Sequence, residues 1–139
     1  MNVLVDASVW IDLLRARADE HVRVLRALLL RPTVVLISPQ ILQEVLQGAT
    51  TREAQSALER RLRDMPCVSA ADARTAAIAA ARLYVRCRLQ GVTPRSSNDC
   101  LIACMAIEHD ALLLHNDRDF DAIASVEPRL RVYGNRGHE

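Results

Sequence analysis

Apolar residues recur along the chain in two rhythms. Short unbroken runs rich in Val, Ile and Leu are separated by stretches whose apolar positions fall three or four residues apart. Asn2–Asp6 (NVLVD) is the first such run and predicts a buried strand, followed by a helix through Leu14 with Ser8 as its expected N-cap. Asp19 is placed to cap a second helix, which lines up His21, Val22, Leu25, Leu28 and Leu29 and stops at Pro32. Thr33–Ser38 (TVVLIS) is a second β-branched run. Pro39 suits the first turn of a helix that carries Ile41, Leu42, Val45 and Leu46 as far as Gly48.

Thr51 opens a more polar helix with Ala54, Leu58, Leu62 and Met65, and a weak strand signal follows at Cys67–Ser69. The alanine-rich segment Asp72–Leu89 reads as one long helix, ended by Gly91 and Pro94. Ser96 or Ser97 caps a helix over Asn98–His109, Ala111–Leu114 (ALLL) is a third buried strand, Asp117–Ala124 a short helix and Leu130–Tyr133 the last strand. Strands alternating with helices predict an α/β fold: a single three-layer α/β/α domain over residues 1–139 with a mainly parallel sheet. No repeat, low-complexity tract or linker interrupts it.

With 50% hydrophobic and 25% charged residues, the chain of 139 residues can bury a core and keep a charged surface. A formal charge of +1 argues against a polybasic clamp on nucleic acid but leaves room for local basic patches. All 18 basic residues are arginine, which excludes chemistry that requires a lysine, such as a Walker-type phosphate loop or a Schiff base. Aromatic residues make up 3%, too few for a surface that grips single strands by stacking. No apolar run reaches membrane-spanning length and no signal peptide is evident, so the expected compartment is the cytoplasm, with no membrane contact. Cys67, Cys87, Cys100 and Cys104 form no CxxC pair; Cys100 and Cys104 lie one helical turn apart and are expected in the core rather than on a soft metal.

In parallel sheets, sites form where strand carboxyl ends enter the following helices. Asp6 ends the first strand, Glu44 lies one to two turns into the helix after the second, Asp99 is in the first turn of the helix before the ALLL strand, and Asp117 follows that strand. A carboxylate directly after a buried strand is costly unless it is paired or binds a cation. Several converging carboxylates with no lysine among them call for a divalent cation, and oxygen-only ligands favour Mg²⁺ or Mn²⁺.

The ordered segments VLVDASVWIDLL, ISPQILQEVL and SSNDCLIACMAIEHDALLLHNDRDFDAIA resemble the PIN-domain family, and within it the VapC-type toxins of bacterial toxin–antitoxin pairs. The resemblance runs over nearly the whole chain. It implies a Mg²⁺-dependent endoribonuclease, with Mn²⁺ as an alternative ion, in which Asp6 and Asp99 hold the metal, assisted by Glu44 and Asp117, and activated water attacks an RNA phosphodiester. The family's T-x-D-x-D-F pattern reads here His115-Asn116-Asp117-Arg118-Asp119-Phe120, with histidine in place of the usual hydroxyl residue. Asp117 is taken as the fourth acid and Asp119 as its alternative. Ser8 and Asn116 are placed to hydrogen-bond the ligand carboxylates, and Arg95 and Arg118 to grip phosphate.

The resemblance also implies an RNA substrate, cut at an accessible loop of a structured RNA, a homodimer, and a VapB-type antitoxin bound in a toxin–antitoxin hetero-oligomer. The apolar stripes of residues 20–30 and 52–65, with Arg60, Arg61 and Arg63 beside them, would offer such a partner a groove. Three rivals stand beside this reading: a PIN nuclease of RNA processing without an antitoxin, a Mg²⁺-dependent phosphohydrolase, and a catalytically silent PIN-fold binding module. The phosphohydrolase is disfavoured because the first strand ends Asp6-Ala7-Ser8, without a D-x-D nucleophile pair.

Overall fold

The protein is described here by a computed structural model covering residues 1–31 and 34–133. Its centre is β1 (Asn2–Val5), flanked by β2 (Val35–Leu36) on one side and β3 (Ala111–Leu114) on the other, with β4 (Val132–Tyr133) beyond β3. Every pairing is parallel, with Leu4 opposite both Leu36 and Leu113, and Leu114 opposite Tyr133. A parallel sheet is covered on both faces. Accordingly Val3, Leu4, Val5, Leu113 and Leu114 are all buried.

Seven helices among the described residues complete the fold: α1 (Ala7–Leu14), α2 (Glu20–Leu28), α3 (Pro39–Gln47), α4 (Arg52–Leu62), α5 (Ala73–Leu89), α6 (Ser97–Glu108) and α7 (Arg118–Val126). They pack in two sets, α1 with α2 and α3 and α3 with α4, and α5, α6 and α7 with one another. Right-handed crossovers from β1 leftward to β2 and from β3 rightward to β4 put α1–α2 and α7 on opposite faces. The expected α/β/α architecture with a parallel sheet is therefore present. Because the connections leaving β1 and β3 run in opposite directions, a crevice opens at the carboxyl ends of these two neighbouring strands.

Local signals mark most helix ends. Ser38, Thr51, Asp72, Ser96 and Asp117 each cap the helix that follows by accepting a backbone N–H. Gly91 turns the chain out of α5 with φ +78°, a conformation L side chains rarely adopt. Several expected boundaries are corrected. Ser8 is not the cap of α1; Asp6 is, because its carboxylate accepts the Ser8 N–H. Asp19 occupies the N-cap position of α2 without a side-chain capping bond. The run expected as a strand over Thr33–Ser38 pairs with β1 at Val35–Leu36 and ends where Ser38 caps α3; Pro32 and Thr33 lie outside the described residues. Cys67–Ser69 contributes a single bridge, Cys67 to Ile37. The expected helix from Asp117 runs on to Val126, and the last strand is confined to Val132–Tyr133.

Trp10, Leu25, Ile37, Ile41, Ile102, Phe120 and Ile123 fill the spaces between sheet and helices. Cys100 is buried there, with its thiol pushed up to about 12, mainly by burial, and Cys104 is half-buried.

Candidate metal centre

Asp6 leaves β1 and caps α1 in one residue. Its N–H donates to Leu114 O at 2.9 Å, continuing the β1–β3 ladder, while its Oδ2 accepts the Ser8 N–H at 3.0 Å and the Ser8 hydroxyl at 2.6 Å. The side chain is thus drawn back over the crevice and left 5% exposed. Burial pushes its carboxyl above the usual range; the Ser8 and Ala7 hydrogen bonds offset part of this and the charge of Asp117 adds to it.

Asp99 approaches from the first turn of α6, behind the Ser96 cap. A helix N-terminus favours a carboxylate, yet Asp99 is pushed up to about 7. Burial is the largest cause, followed by the charges of Asp6, Asp117, Asp119 and Glu44. Glu44 sits on the open side of α3 and is also raised, by partial burial of its carboxyl and then by Asp6 and Asp117.

The turn after β3 supplies the remaining acids. Asp117 caps α7 by accepting the Asp119 N–H at 2.9 Å on Oδ1, which also accepts Arg95 Nη2 at 3.0 Å. Asp119 accepts the Arg95 N–H at 3.0 Å and Arg95 Nε at 3.1 Å. Burial works to raise Asp119, but these Arg95 bonds outweigh it and hold the carboxyl low. His115 is buried and held below the usual histidine range by that burial, so it is neutral. Its Nδ1 accepts the Asp117 N–H at 3.1 Å, which leaves the ring proton on Nε2, 3.2 Å from Asp121 Oδ1.

One carboxylate oxygen from each of Asp99, Asp117 and Asp119 lies within 4.8 Å of the others. Asp6 and Glu44 stand outside that trio and are coupled to it through charge. Asp117 raises the carboxyls of Asp6, Glu44 and Asp99, whereas among these Asp119 raises only Asp99. Asp117 and Asp119 thus lie together against Asp99, and Arg95 bridges both of them. Of the four expected acids, Asp99 and Asp117 lie together with Asp119, while Asp6 and Glu44 are linked to them through charge. Arg95, expected to be available for phosphate, is instead committed to Asp117 and Asp119, because these are the nearest unneutralised charges. Arg118 lies beside them as the first residue of α7. Ser8 bonds Asp6, and the Asn116 side chain donates to Asp12.

The donor set is all oxygen, and its carboxylates are close enough that charge repulsion and burial hold Asp99 half-protonated at neutral pH. That chemistry fits a hard divalent cation, which would supply the missing countercharge. A PIN-domain family model matches residues 3–126, most of the chain. The chain belongs to the PIN-domain family. Within that family it resembles the VapC ribonucleases: it is 38% identical over 125 residues to a VapC ribonuclease of Mycobacterium bovis and to ribonuclease VapC11 of Mycobacterium tuberculosis, spanning 89% of this chain and 92% of theirs. Among solved structures, a DNA-bound VapBC of Salmonella typhimurium superposes with a TM-score of 0.74 at 20% identity, over 97% of this chain and 98% of that one. VapBC2 of Rickettsia felis gives 0.72 at 20% identity, over 96% and 98%. The PIN fold is thus present from end to end of the described sheet.

Placed in the PIN fold, His115 has a definable part. It stands where a hydroxyl residue is usual and supports Asp117 through its backbone N–H rather than through a side-chain hydroxyl. Sequence reasoning missed Asp12 and His21, a buried polar pair directly behind Asp6 and Asn116. Among the described residues no helix is long and apolar enough to cross a membrane.

Proposed function

We propose that this PIN domain is an endoribonuclease that hydrolyses RNA phosphodiester bonds at the Asp6–Glu44–Asp99–Asp117 cluster with Mg²⁺ or Mn²⁺, and that it is the toxin of a VapBC-type pair in the cytoplasm. The observation that carries the chemistry is the convergence of Asp99, Asp117 and Asp119, one carboxylate oxygen of each within 4.8 Å of the others, beside a partly buried Asp99 whose carboxyl is raised by burial and by the surrounding acids. Such a cluster is under electrostatic strain in isolation and is relieved by a cation. The similarity to VapC ribonucleases over most of both chains supports the substrate class and the toxin role.

In this reading Asp6 and Asp99 are the primary ligands and Asp117 completes the set. A bound divalent cation would supply the Lewis acidity that polarises the phosphodiester and acidifies water. Glu44, exposed at its helix and with a raised carboxyl, is suited to take the proton of the attacking water. Ser8 orients Asp6, and the backbone N–H of Asp119 orients Asp117. Arg95 neutralises part of the charge of Asp117 and Asp119, and Arg118 beside them adds positive charge, which together ease the approach of a polyanion to the acids.

An apolar groove of about 610 Å³ runs between α1, α3 and α4, lined by Ile11, Leu14, Val45 and Leu58, with Arg15 and Arg61 at its edge. It supports docking of a VapB-type antitoxin through an amphipathic segment with acidic flanks. This groove favours the toxin reading over a PIN nuclease without an antitoxin. The test is incubation of total RNA with the purified protein and Mg²⁺ or Mn²⁺. Discrete fragments are expected, absent with EDTA and with Asp6→Asn, and suppressed by the antitoxin encoded beside the toxin. Fragments that persist in EDTA and in Asp6→Asn would refute the metal ribonuclease.

A further inference from the structure

The four acids leave unexplained a second set of polar side chains buried behind them. Asp12 on α1 and His21 on α2 are 8% and 0% exposed. His21 Nε2 lies 2.8 Å from Asp12 Oδ2, and the same oxygen accepts Asn116 Nδ2 at 2.9 Å. Burial works to raise the Asp12 carboxyl, but the His21 and Asn116 hydrogen bonds outweigh it and hold it low. Asp12 is therefore an acceptor only, and two consequences follow. His21 carries a proton on Nε2, and the Asn116 amide is locked with its nitrogen toward α1.

Asn116 is tied a second time through its backbone. Its N–H donates to Ser8 Oγ at 3.0 Å, and the Ser8 hydroxyl donates to Asp6 Oδ2 at 2.6 Å. One residue thus joins two chains of bonds: through its side chain to Asp12 and His21, and through its main chain to Ser8 and Asp6. The next residue along is Asp117. Together these bonds connect α1, α2 and the turn between β3 and α7 at a single carboxylate oxygen. Buried ionic groups are weak sources of stability, since apolar residues of similar volume commonly do as well. Their geometric effect is larger, because each satisfied bond excludes alternative positions of the groups it joins.

We propose that Asn116, oriented by the Asp12–His21 pair, is a positioning residue of the metal centre: it clamps the β3–α7 turn onto α1 so that Asp117 is presented opposite Asp6. The inference rests on the reading of the acids as a divalent-metal site. It assigns to His21 a role at a distance: His21 touches none of the four acids and acts by fixing Asp12, which fixes Asn116.

The experiment is calorimetric titration of the full chain with Mn²⁺ alone, without RNA, for the wild type, Asn116→Ala, His21→Met and His21→Gln, each checked for folding by circular dichroism. Removing a group bonded directly to a metal ligand costs about 10–100-fold in metal affinity. Asn116→Ala keeps the main-chain bond to Ser8 and loses the one to Asp12, so the folded variant is expected to bind Mn²⁺ more weakly by about tenfold, the low end of that range. His21→Met is expected to weaken binding in the same direction. His21→Gln, which keeps an amide donor near the position of Nε2, is expected to restore most of it. A purely structural role would lower stability in His21→Met and leave the Mn²⁺ affinity of the folded fraction unchanged. If His21→Met does not fold, Asn116→Ala, at a half-buried turn position, decides alone. Wild-type affinity in folded Asn116→Ala overturns the clamp while leaving the metal site standing. A wild-type chain that takes up no Mn²⁺ overturns the metal reading, and the clamp with it.

Discussion

Asp99→Asn is expected to make the metal-free protein more stable at pH 8 while removing its RNA cleavage. In the unfolded chain this carboxyl titrates near 3.8 and in the folded chain near 7. Below the lower value it is protonated in both states and costs nothing. Between the two the folded state holds the extra proton, so stability falls as pH rises, and above about 7 the cost is complete. At about 1.36 kcal/mol per pH unit, the interval from 3.8 to about 7 corresponds to a cost on the order of 4 kcal/mol. Asparagine has the shape of the protonated acid and no charge, so it removes most of that cost. Urea unfolding in EDTA should therefore show Asp99→Asn gaining about 2–4 kcal/mol at pH 8 and close to nothing at pH 4. Cleavage should fall by at least about a hundredfold, since a primary ligand is lost and not only an outer one. Equal stabilisation at both pH values would show that repulsion at Asp99 is not the source.

Mn²⁺ is expected to stabilise the wild type strongly at pH 8 and weakly at pH 5.5. A ligand that binds only the folded state at about a hundred times its Kd adds about 2.7 kcal/mol, which for a domain of this size is roughly 8–10 °C in Tm. Metal must displace the proton that Asp99 holds below about 7. Affinity therefore falls by about tenfold for each pH unit below that point, or roughly thirtyfold by pH 5.5. The raised carboxyl of Asp6 acts in the same direction. Thermal unfolding at fixed Mn²⁺ across this pH range, beside the metal-free protein, measures the difference. A metal-induced shift that does not diminish with acid would place the ion away from these carboxylates.

Both predictions depend on acids that are far apart in sequence, and their joint legibility has a physical basis. β1 and β3 could be read because buried parallel strands are short unbroken apolar runs, and Asp6 and Asp117 stand at the ends of such runs. Glu44 and Asp99 could be placed beside them from the early turns of their helices, and the resemblance to the PIN domain gave the set its roles. Local patterns failed where tertiary contacts decide. Nothing in TVVLIS says that pairing with β1 stops after Leu36 and that Ile37 turns to Cys67 instead, because that limit is set by Ser38 turning into α3. Ser8 carries the residue type of a cap but serves Asp6, which reaches the helix end first. The commitment of Arg95 to Asp117 and Asp119 spans more than twenty residues and has no local trace. Asp12 and His21 look like one polar residue in each of two amphipathic helices until the helices are packed together.

The central claim is that the crevice between β1 and β3 holds a divalent cation, and anomalous diffraction from crystals soaked in Mn²⁺ near pH 8 tests it directly. The account predicts one or two anomalous peaks among the carboxylates of Asp6, Asp99 and Asp117, with Arg95 displaced from Asp117 where the ion takes its place. No peak in that crevice at millimolar Mn²⁺, or a peak only beside Asp12, Asp19 and His21, would contradict it.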